Sequence, residues 1–323
     1  MKLDIRDVHA AAERIASYIH RTPVMTSARL DAETGASLFF KCENLQKAGA
    51  FKARGACNAV FQLSAEIAAR GVTTHSSGNH GSALARAAQI RDIRATIVVP
   101  RNANPVKKAA IAAYGADIIE CEPTLAAREQ GVSRVVDATG AHLVPPYDDD
   151  RIIAGQGTAA LELVEDVDGL DQLLVPVGGG GLLAGTTLVA VDRGMASIAA
   201  EPEGADDAFR SLTSGYRVTD QAPDTVADGL RTTLGELNFE IIREGVSRIL
   251  TVSDVEIVTA MKMLWTRLKL LVEPSSATAA SPAPSSGAGS TAVRTAMRRV
   301  QRGPVSSRLR RVGGDPSLRR SSS

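Results

Sequence analysis

The sequence predicts an α/β fold of two open, twisted, mostly parallel sheets flanked by helices, and three observations carry that expectation. Short apolar runs alternate with longer helical patterns up to about residue 274, the pattern of parallel strands joined by crossover helices. The alternation comes in two successive stretches, which makes two sheets with a small-molecule cleft between them. Four consecutive glycines, Gly178, Gly179, Gly180 and Gly181, stand between the apolar run QLLVPV and the helical run LLAGTTLVAV; such a turn frees several backbone N–H groups for an anion. With 323 residues, 44% hydrophobic and 23% charged, the chain has material for sizeable cores.

In chain order, Asp7 reads as the N-cap of a helix running through Tyr18, and 37–43 reads as a strand. Strands follow at 72–75, 95–100, 117–121 and 142–144, with helices starting near Gly78, Pro105 and Thr124. The helix at Pro105 has the fullest local signal: Asn104 to cap it, proline at its first position and Gly115 past its end. The second stretch holds a helix over 157–166, a strand over 172–177, a helix from Leu182 and a strand over 197–200. Ser253 and Glu256 form a capping box for a helix reaching about Leu271. No internal repeat interrupts this order.

Thirty-seven basic side chains against 36 acidic leave a net charge of +1, which gives no electrostatic reason for nucleic acid or an anionic membrane as partner. No charged-then-apolar leader and no run of about 18 apolar residues is visible. Three cysteines, Cys42, Cys57 and Cys121, cannot all pair, so a reducing cytoplasm is the expected setting. The charge balance hides an asymmetry. Residues 275–323 hold nine arginines, no lysine, one acid and twelve serines, with six residues from Leu, Ile, Val and Phe. That is below the roughly 20% apolar content of packed chain, and the segment is expected to be poorly ordered. Its arginines are not interleaved with aromatics, so it carries no nucleic-acid motif.

The glycine loop lacks the Gly-Lys-Ser/Thr ending of a triphosphate loop and reads as a simple phosphate cradle, against a bare turn that needs only one or two glycines. Gly179, Gly181 and Ala184 also fit G-x-G-x-x-A, with Glu201 twenty residues beyond Gly181. That is the spacing of a ribose-binding acid, so a nicotinamide (NAD)-dependent oxidoreductase is the reading from a different class. Gly155, Gly157 and Ala160 fit the same pattern, which shows how cheaply it arises. Ser76, Ser77, Gly78, Asn79 and His80 follow the strand VTTH and open a helix. They offer hydroxyls, an amide and helix-start N–H groups to a carboxylate or ring oxygen, or serve only as an N-cap. His80 alone reads as a structural histidine. Lys52, between Phe51 and Ala53, is an amine nucleophile if desolvation removes its proton, and otherwise a surface lysine.

Together, KCENLQKAGAFKARGA, THSSGNHGSA, IAGQGTAALE, VPVGGGGLLAG, AAEPEGADD, TVADG and KLLVEPS resemble the pyridoxal-phosphate enzymes of fold type II, the tryptophan-synthase-β group. They are most similar to the serine racemase and serine/threonine dehydratase family, over about 7–274. The resemblance implies a large cofactor-binding domain of 1–62 and 149–274, a small domain of 63–148, and a cofactor cleft between them. It also implies pyridoxal 5'-phosphate as cofactor, an amino acid as substrate and a homodimer. It assigns Lys52 to carry the cofactor and take the α-proton, Phe51 and Asn79 to contact its ring, and Gly178, Gly179, Gly180, Gly181 and Leu182 to hold its phosphate. Ser76, Ser77, Asn79 and His80 would bind the substrate, and Ser77 would protonate the opposite face of the α-carbon. Glu201, Ala205 and Asp207 match a site for Mg2+, or Ca2+ or Mn2+, with two carboxylates and a carbonyl as hard ligands. The implied activity is deamination of serine, threonine or 3-hydroxyaspartate to a keto acid and ammonia, with racemisation sharing its first proton transfer.

Two departures qualify the match. Tyr147 stands where related enzymes often carry Phe or Asn near the substrate. After Glu273 and Pro274 the family continues with an apolar helix and a strand ending in a Ser-Gly-Gly-Asn turn, whose serine meets the pyridine nitrogen. Here the Ser/Arg-rich segment follows, and Gly313, Gly314 and Asp315 are only an echo. The expectation is a large sheet short of one strand, no partner for the pyridine nitrogen and, as a third reading, an intact cradle with impaired catalysis.

Overall fold

The computed structural model describes residues 3–281. Helix α1 (Ile5–Ile15) opens the chain, followed by β1 (Val24–Met25), α2 (Ala28–Thr34), β2 (Phe40–Lys41), α3 (Lys52–Phe61) and α4 (Ala65–Ala69). One sheet comes from a continuous stretch: β3 (Val72–His75), α5 (Asn79–Ile90), β4 (Ala95–Pro100), α6 (Pro105–Ala113), β5 (Asp117–Cys121), α7 (Leu125–Thr139) and β6 (His142–Leu143). The next stretch supplies α8 (Asp150–Asp166), β7 (Gln172–Pro176), α9 (Gly181–Asp192), β8 (Ala196–Pro202) and α10 (Asp207–Ser214). Helix α11 (Glu236–Gly245), β9 (Val246–Val252), α12 (Asp254–Leu268) and α13 (Pro274–Ala277) complete it.

Both large sheets are parallel throughout, ordered β5-β4-β3-β6 and β7-β8-β9, while β1 and β2 form a separate antiparallel pair. A parallel strand is covered on both faces and needs an unbroken apolar run; Ile97, Val98 and Val99 of β4 are all buried. In the first sheet the chain steps outward from β3 to β4 to β5, then returns to lay β6 on the other flank of β3. That reversal leaves a crevice beyond the carboxyl ends of β3 and β6, where open α/β sheets bind their ligands. Helix α3 is fixed to the second stretch by near contact of backbones: a methyl added at Gly155 of α8 would lie 2.6 Å from the Gly55 Cα.

Several elements depart from the sequence expectations for local reasons. Helix α1 is capped by Asp4 rather than Asp7, and ends at Ile15 rather than Tyr18. Asp7 sits three positions on and accepts the Asp4 N–H at 2.9 Å, so two acids share one capping box. The strand expected over 37–43 shrinks to Phe40–Lys41, because the Asp31 carboxylate takes the Leu38 N–H and Glu43–Leu45 and Lys47–Gly49 wind into 3-10 turns. Helix α8 begins at Asp150, well before 157, since Asp149 accepts the Arg151 and Ile152 N–H groups. Helix α12 stops at Leu268, where Lys269 turns left-handed with φ of 58°.

The segment expected to be poorly ordered from 275 is folded at its start. Ser275, Ala277 and Thr278 are buried, and the Ser275 hydroxyl accepts the Gly229 N–H at 3.0 Å. Small side chains fit there where bulk would not, and the hydroxyl is satisfied in place. The rest of that segment, with Gly313, Gly314 and Asp315, lies outside the described residues.

Candidate active site

Lys52 is the first residue of α3 and follows a turn in which Ala48 and Gly49 are both left-handed, with φ of 56° and 72°. Its Nζ donates to the Pro146 carbonyl at 2.7 Å and lies 5.2 Å from the centre of the Phe51 ring. Burial penalises the ammonium and pulls its pKa down to about 8. About a tenth of the amine is therefore neutral at pH 7, far more than for a solvated lysine.

The second motif lies at the carboxyl end of β3. Gly78 caps α5, and the N–H groups of its first turn point out of the helix start. The Gly78 N–H is held by the Ser76 hydroxyl at 3.3 Å, and a Cβ at Gly81 would meet the Ser76 carbonyl at 2.4 Å. Asn79 donates to the Glu273 carboxylate at 2.9 Å. His80 is buried with Nε2 3.0 Å from the Val144 carbonyl, so Nε2 carries the proton, and Nδ1 is left without a partner. Burial, then the nearby Lys52 charge, lower its pKa to about 3, and the ring is neutral.

Each glycine of the third motif answers to a different neighbour. An added Cβ would come within 2.9 Å of the Leu230 Cα at Gly178, 2.3 Å of the Tyr147 ring at Gly179, 2.6 Å of Leu234 at Gly180 and 3.0 Å of the Tyr147 carbonyl at Gly181. Gly180 has φ of 93° and caps α9, whose second residue is Leu182. Asn238 donates to the Gly179 carbonyl at 2.7 Å and to the Tyr147 carbonyl at 3.2 Å.

One short segment, 144–149, joins all three motifs. Its carbonyls hold His80 and Lys52, the Tyr147 ring lies on Gly179, and Asp148 accepts the Glu236 and Leu237 N–H groups at 3.0 Å, capping α11. Sequence reasoning singled out Tyr147 but not Asp148, Asn238 or Glu273 as parts of this assembly. The run of three aspartates, 148–150, is a local cap pattern, but nothing in it tells which helix receives it.

Glu201 and Asp207 are fully buried at the end of β8 and the start of α10, with Ala205 between them. Glu201 accepts the Ala208 and Phe209 N–H groups, at 3.0 and 2.7 Å; Asp207 accepts from the Leu234 N–H and the Gln221 amide, at 2.7 and 2.6 Å. Burial raises both pKa values, that of Asp207 to about 6. Both Glu201 oxygens thereby hold the start of α10. No cluster of three or more His, Cys, Asp or Glu side chains is arranged for a metal among the described residues.

The donor set fits pyridoxal phosphate: a side-chain-free glycine loop at a helix start for a phosphate, a dehydrated amine for an aldehyde, and an uncharged histidine beside it. Residues 15–293 match the family described as pyridoxal-phosphate dependent enzyme. The chain is 53% identical over 273 residues to a beta-hydroxyaspartate dehydratase of Paracoccus denitrificans (strain Pd 1222), covering 84% of this chain and 87% of the relative. It is 49% identical over 278 residues to a serine racemase of Dictyostelium discoideum, covering 85% and 86%. The solved structure of a Dictyostelium discoideum serine racemase superposes with a TM-score of 0.83 at 47% identity, covering 86% of this chain and 91% of that one. That of a T.th. threonine deaminase gives 0.81 at 43%, covering 86% and 91%.

Proposed function

The chain belongs to the pyridoxal-phosphate dependent enzyme family, and on that premise we propose that it deaminates serine, threonine or 3-hydroxyaspartate to a keto acid and ammonia, with serine racemisation as its second outcome. The observation that carries the reading is the segment 144–149, which brings the Lys52 amine, the helix start at His80 and the glycine loop into one assembly. The NAD-dependent alternative leaves Lys52 and the serine-rich loop without a task.

Pyridoxal phosphate, when bound, supplies a carbonyl carbon for an amine and an electron-withdrawing ring that acidifies the α-proton of an amino acid. Gly178, Gly179, Gly180, Gly181 and Leu182 would hold its phosphate, and Phe51 and Asn79 its ring. Lys52, partly neutral at neutral pH, accepts the substrate α-proton, and the Pro146 carbonyl orients its amine. Ser76, Ser77, Asn79 and His80 present hydroxyls and helix-start N–H groups to the substrate carboxylate. Ser77 donates a proton to the α-carbon in the racemising branch; elimination needs no proton from Ser77, but the substrate β-hydroxyl leaves as water on taking a proton from the phosphate or a nearby acid.

Glu201, Asp207 and the Ala205 carbonyl would take a hard divalent cation such as Mg2+. In support, two carboxylates are buried together while Arg210, the adjacent cation, pairs with Asp206 instead at 2.8 Å. A cytoplasmic setting accords with three unpaired, buried cysteines, and no described helix is long and apolar enough to cross a membrane. A homodimer would cover the exposed Trp265 and Leu271.

The test is a visible absorption titration of the full chain with pyridoxal phosphate, followed by serine turnover assays. A lysine-linked cofactor band is expected in the parent and absent in Lys52→Ala. Ser77→Ala is expected to keep keto-acid release within about tenfold while losing racemisation by about a hundredfold or more. A folded parent without the band refutes the reading.

A further inference from the structure

Helix α3 carries a second basic residue that the proposed chemistry does not use. Arg54 is fully buried, two positions beyond Lys52. Its five N–H groups are all engaged: Nε and Nη2 donate to Glu43 at 2.8 Å each, Nη1 and Nη2 to Glu162 at 2.7 and 2.9 Å, and Nη1 to Thr158 at 3.1 Å. The carboxylates are anchored in turn, Glu43 by the Thr22 hydroxyl at 2.6 Å and Glu162 by Lys41 at 2.8 Å. The cluster thus ties α3 to the turn after β2 on one side and to the middle of α8 on the other.

A buried ion cluster of this kind is a poor stabiliser, because apolar residues of similar volume often do as well. Its asset is direction, since a planar guanidinium accepts two carboxylates only in fixed orientations. Upstream of Lys52 the chain is held by the buried Gln46 amide, which exchanges hydrogen bonds with the His20 backbone at 2.7 and 2.8 Å, but the left-handed turn at Ala48 and Gly49 intervenes. Arg54 is therefore the fixture that lies on the same helix as Lys52, two positions away with no turn between them.

We propose that Arg54, clamped between Glu43 and Glu162, is a positioning residue that holds the Lys52 amine against the Pro146 carbonyl and out of water. The proposal rests on the reading of Lys52 as the working amine. Desolvation alone lowers the Lys52 pKa, so what sets its titration is where it sits. The titratable group in electrostatic reach of Lys52 is His80 of α5, itself neutral, on which His75 and Asp149 also act.

The test uses the cofactor-free full chain. Lys52 is labelled with trace acetic anhydride across a pH series, and its modification is read by peptide mass spectrometry beside a thermal melt. Arg54→Lys keeps the charge but loses the two-carboxylate grip. Its labelling midpoint is expected to rise by about a unit or more, a roughly tenfold smaller neutral fraction at pH 7. The control is Val60→Ala, a buried site in the last turn of α3, expected to lower the melting point while leaving the midpoint in place. An unmoved midpoint in Arg54→Lys, or an equal move in Val60→Ala, overturns the proposal. Should Arg54→Lys not fold, Glu43→Gln carries the same expectation at about threefold, and an unmoved midpoint there overturns it equally. Labelling needs no pyridoxal phosphate, so a parent that takes up no cofactor defeats the proposed function without deciding this question.

Discussion

Glycine at 179 is demanded by a side chain from another part of the chain. A Cβ there would lie 2.3 to 2.5 Å from three atoms of the Tyr147 ring, closer than any real contact, so the ring or the loop must move. Gly179→Ala is therefore expected to weaken pyridoxal phosphate binding at least about tenfold by absorbance titration. Removing the ring in Gly179→Ala/Tyr147→Ala should recover most of that loss, because the clash is pairwise; equal losses in both variants would sink the argument. At this scale the sequence was legible in part. Four glycines after a strand announce a loop that something must approach, but Tyr147 on one side and Leu230 and Leu234 on the other, which do the approaching, come from two distant segments. Lys52 was less legible still. Its chemistry depends on burial beneath Pro146, and no local pattern encodes burial of a lysine.

Between residues and the whole lie the caps, and these decide which elements could be read. Helices α5, α6 and α7 start within a residue of expectation because their starts at Gly78, Asn104 and Thr124 are written locally. The start of α11 was not legible, since its cap is Asp148, far upstream in the chain. Asp148→Ala removes the acceptor for three helix-start N–H groups and is expected to cost about 1 kcal/mol. Because α11 carries Asn238, which holds the glycine loop, the same variant should lose cofactor affinity along with melting temperature. An Asp148→Ala protein that melts lower but binds normally would show that α11 does not support the loop.

Across the whole molecule the alternation of strands and helices announced both sheets, because parallel strands appear as apolar runs, but not the strand β9, whose run is interrupted by Ser247 and Arg248. The Ser/Arg-rich segment misled at its first residues, where small polar side chains pack as a folded turn. The buried lysine also marks the stability of the entire chain. Lys52 keeps its proton up to about pH 10.5 when unfolded but loses it near pH 8 when folded. Between those values the unfolded state holds more protons, so stability rises with pH, by about 3 kcal/mol in all. Urea midpoints of the cofactor-free protein should show that rise, and Lys52→Met should flatten it; parallel slopes would contradict it. The crossing of α3 and α8 has a consequence in time. A ribosome adds about 5–20 residues per second, and roughly a hundred residues separate the end of α3 from the end of α8. The stretch holding β3 to β6 is complete while α3 still waits, its arginine lacking Glu162. The nascent chain finishes its first sheet before it can seat Lys52, so the lysine is set in place only when about half of the chain has been made.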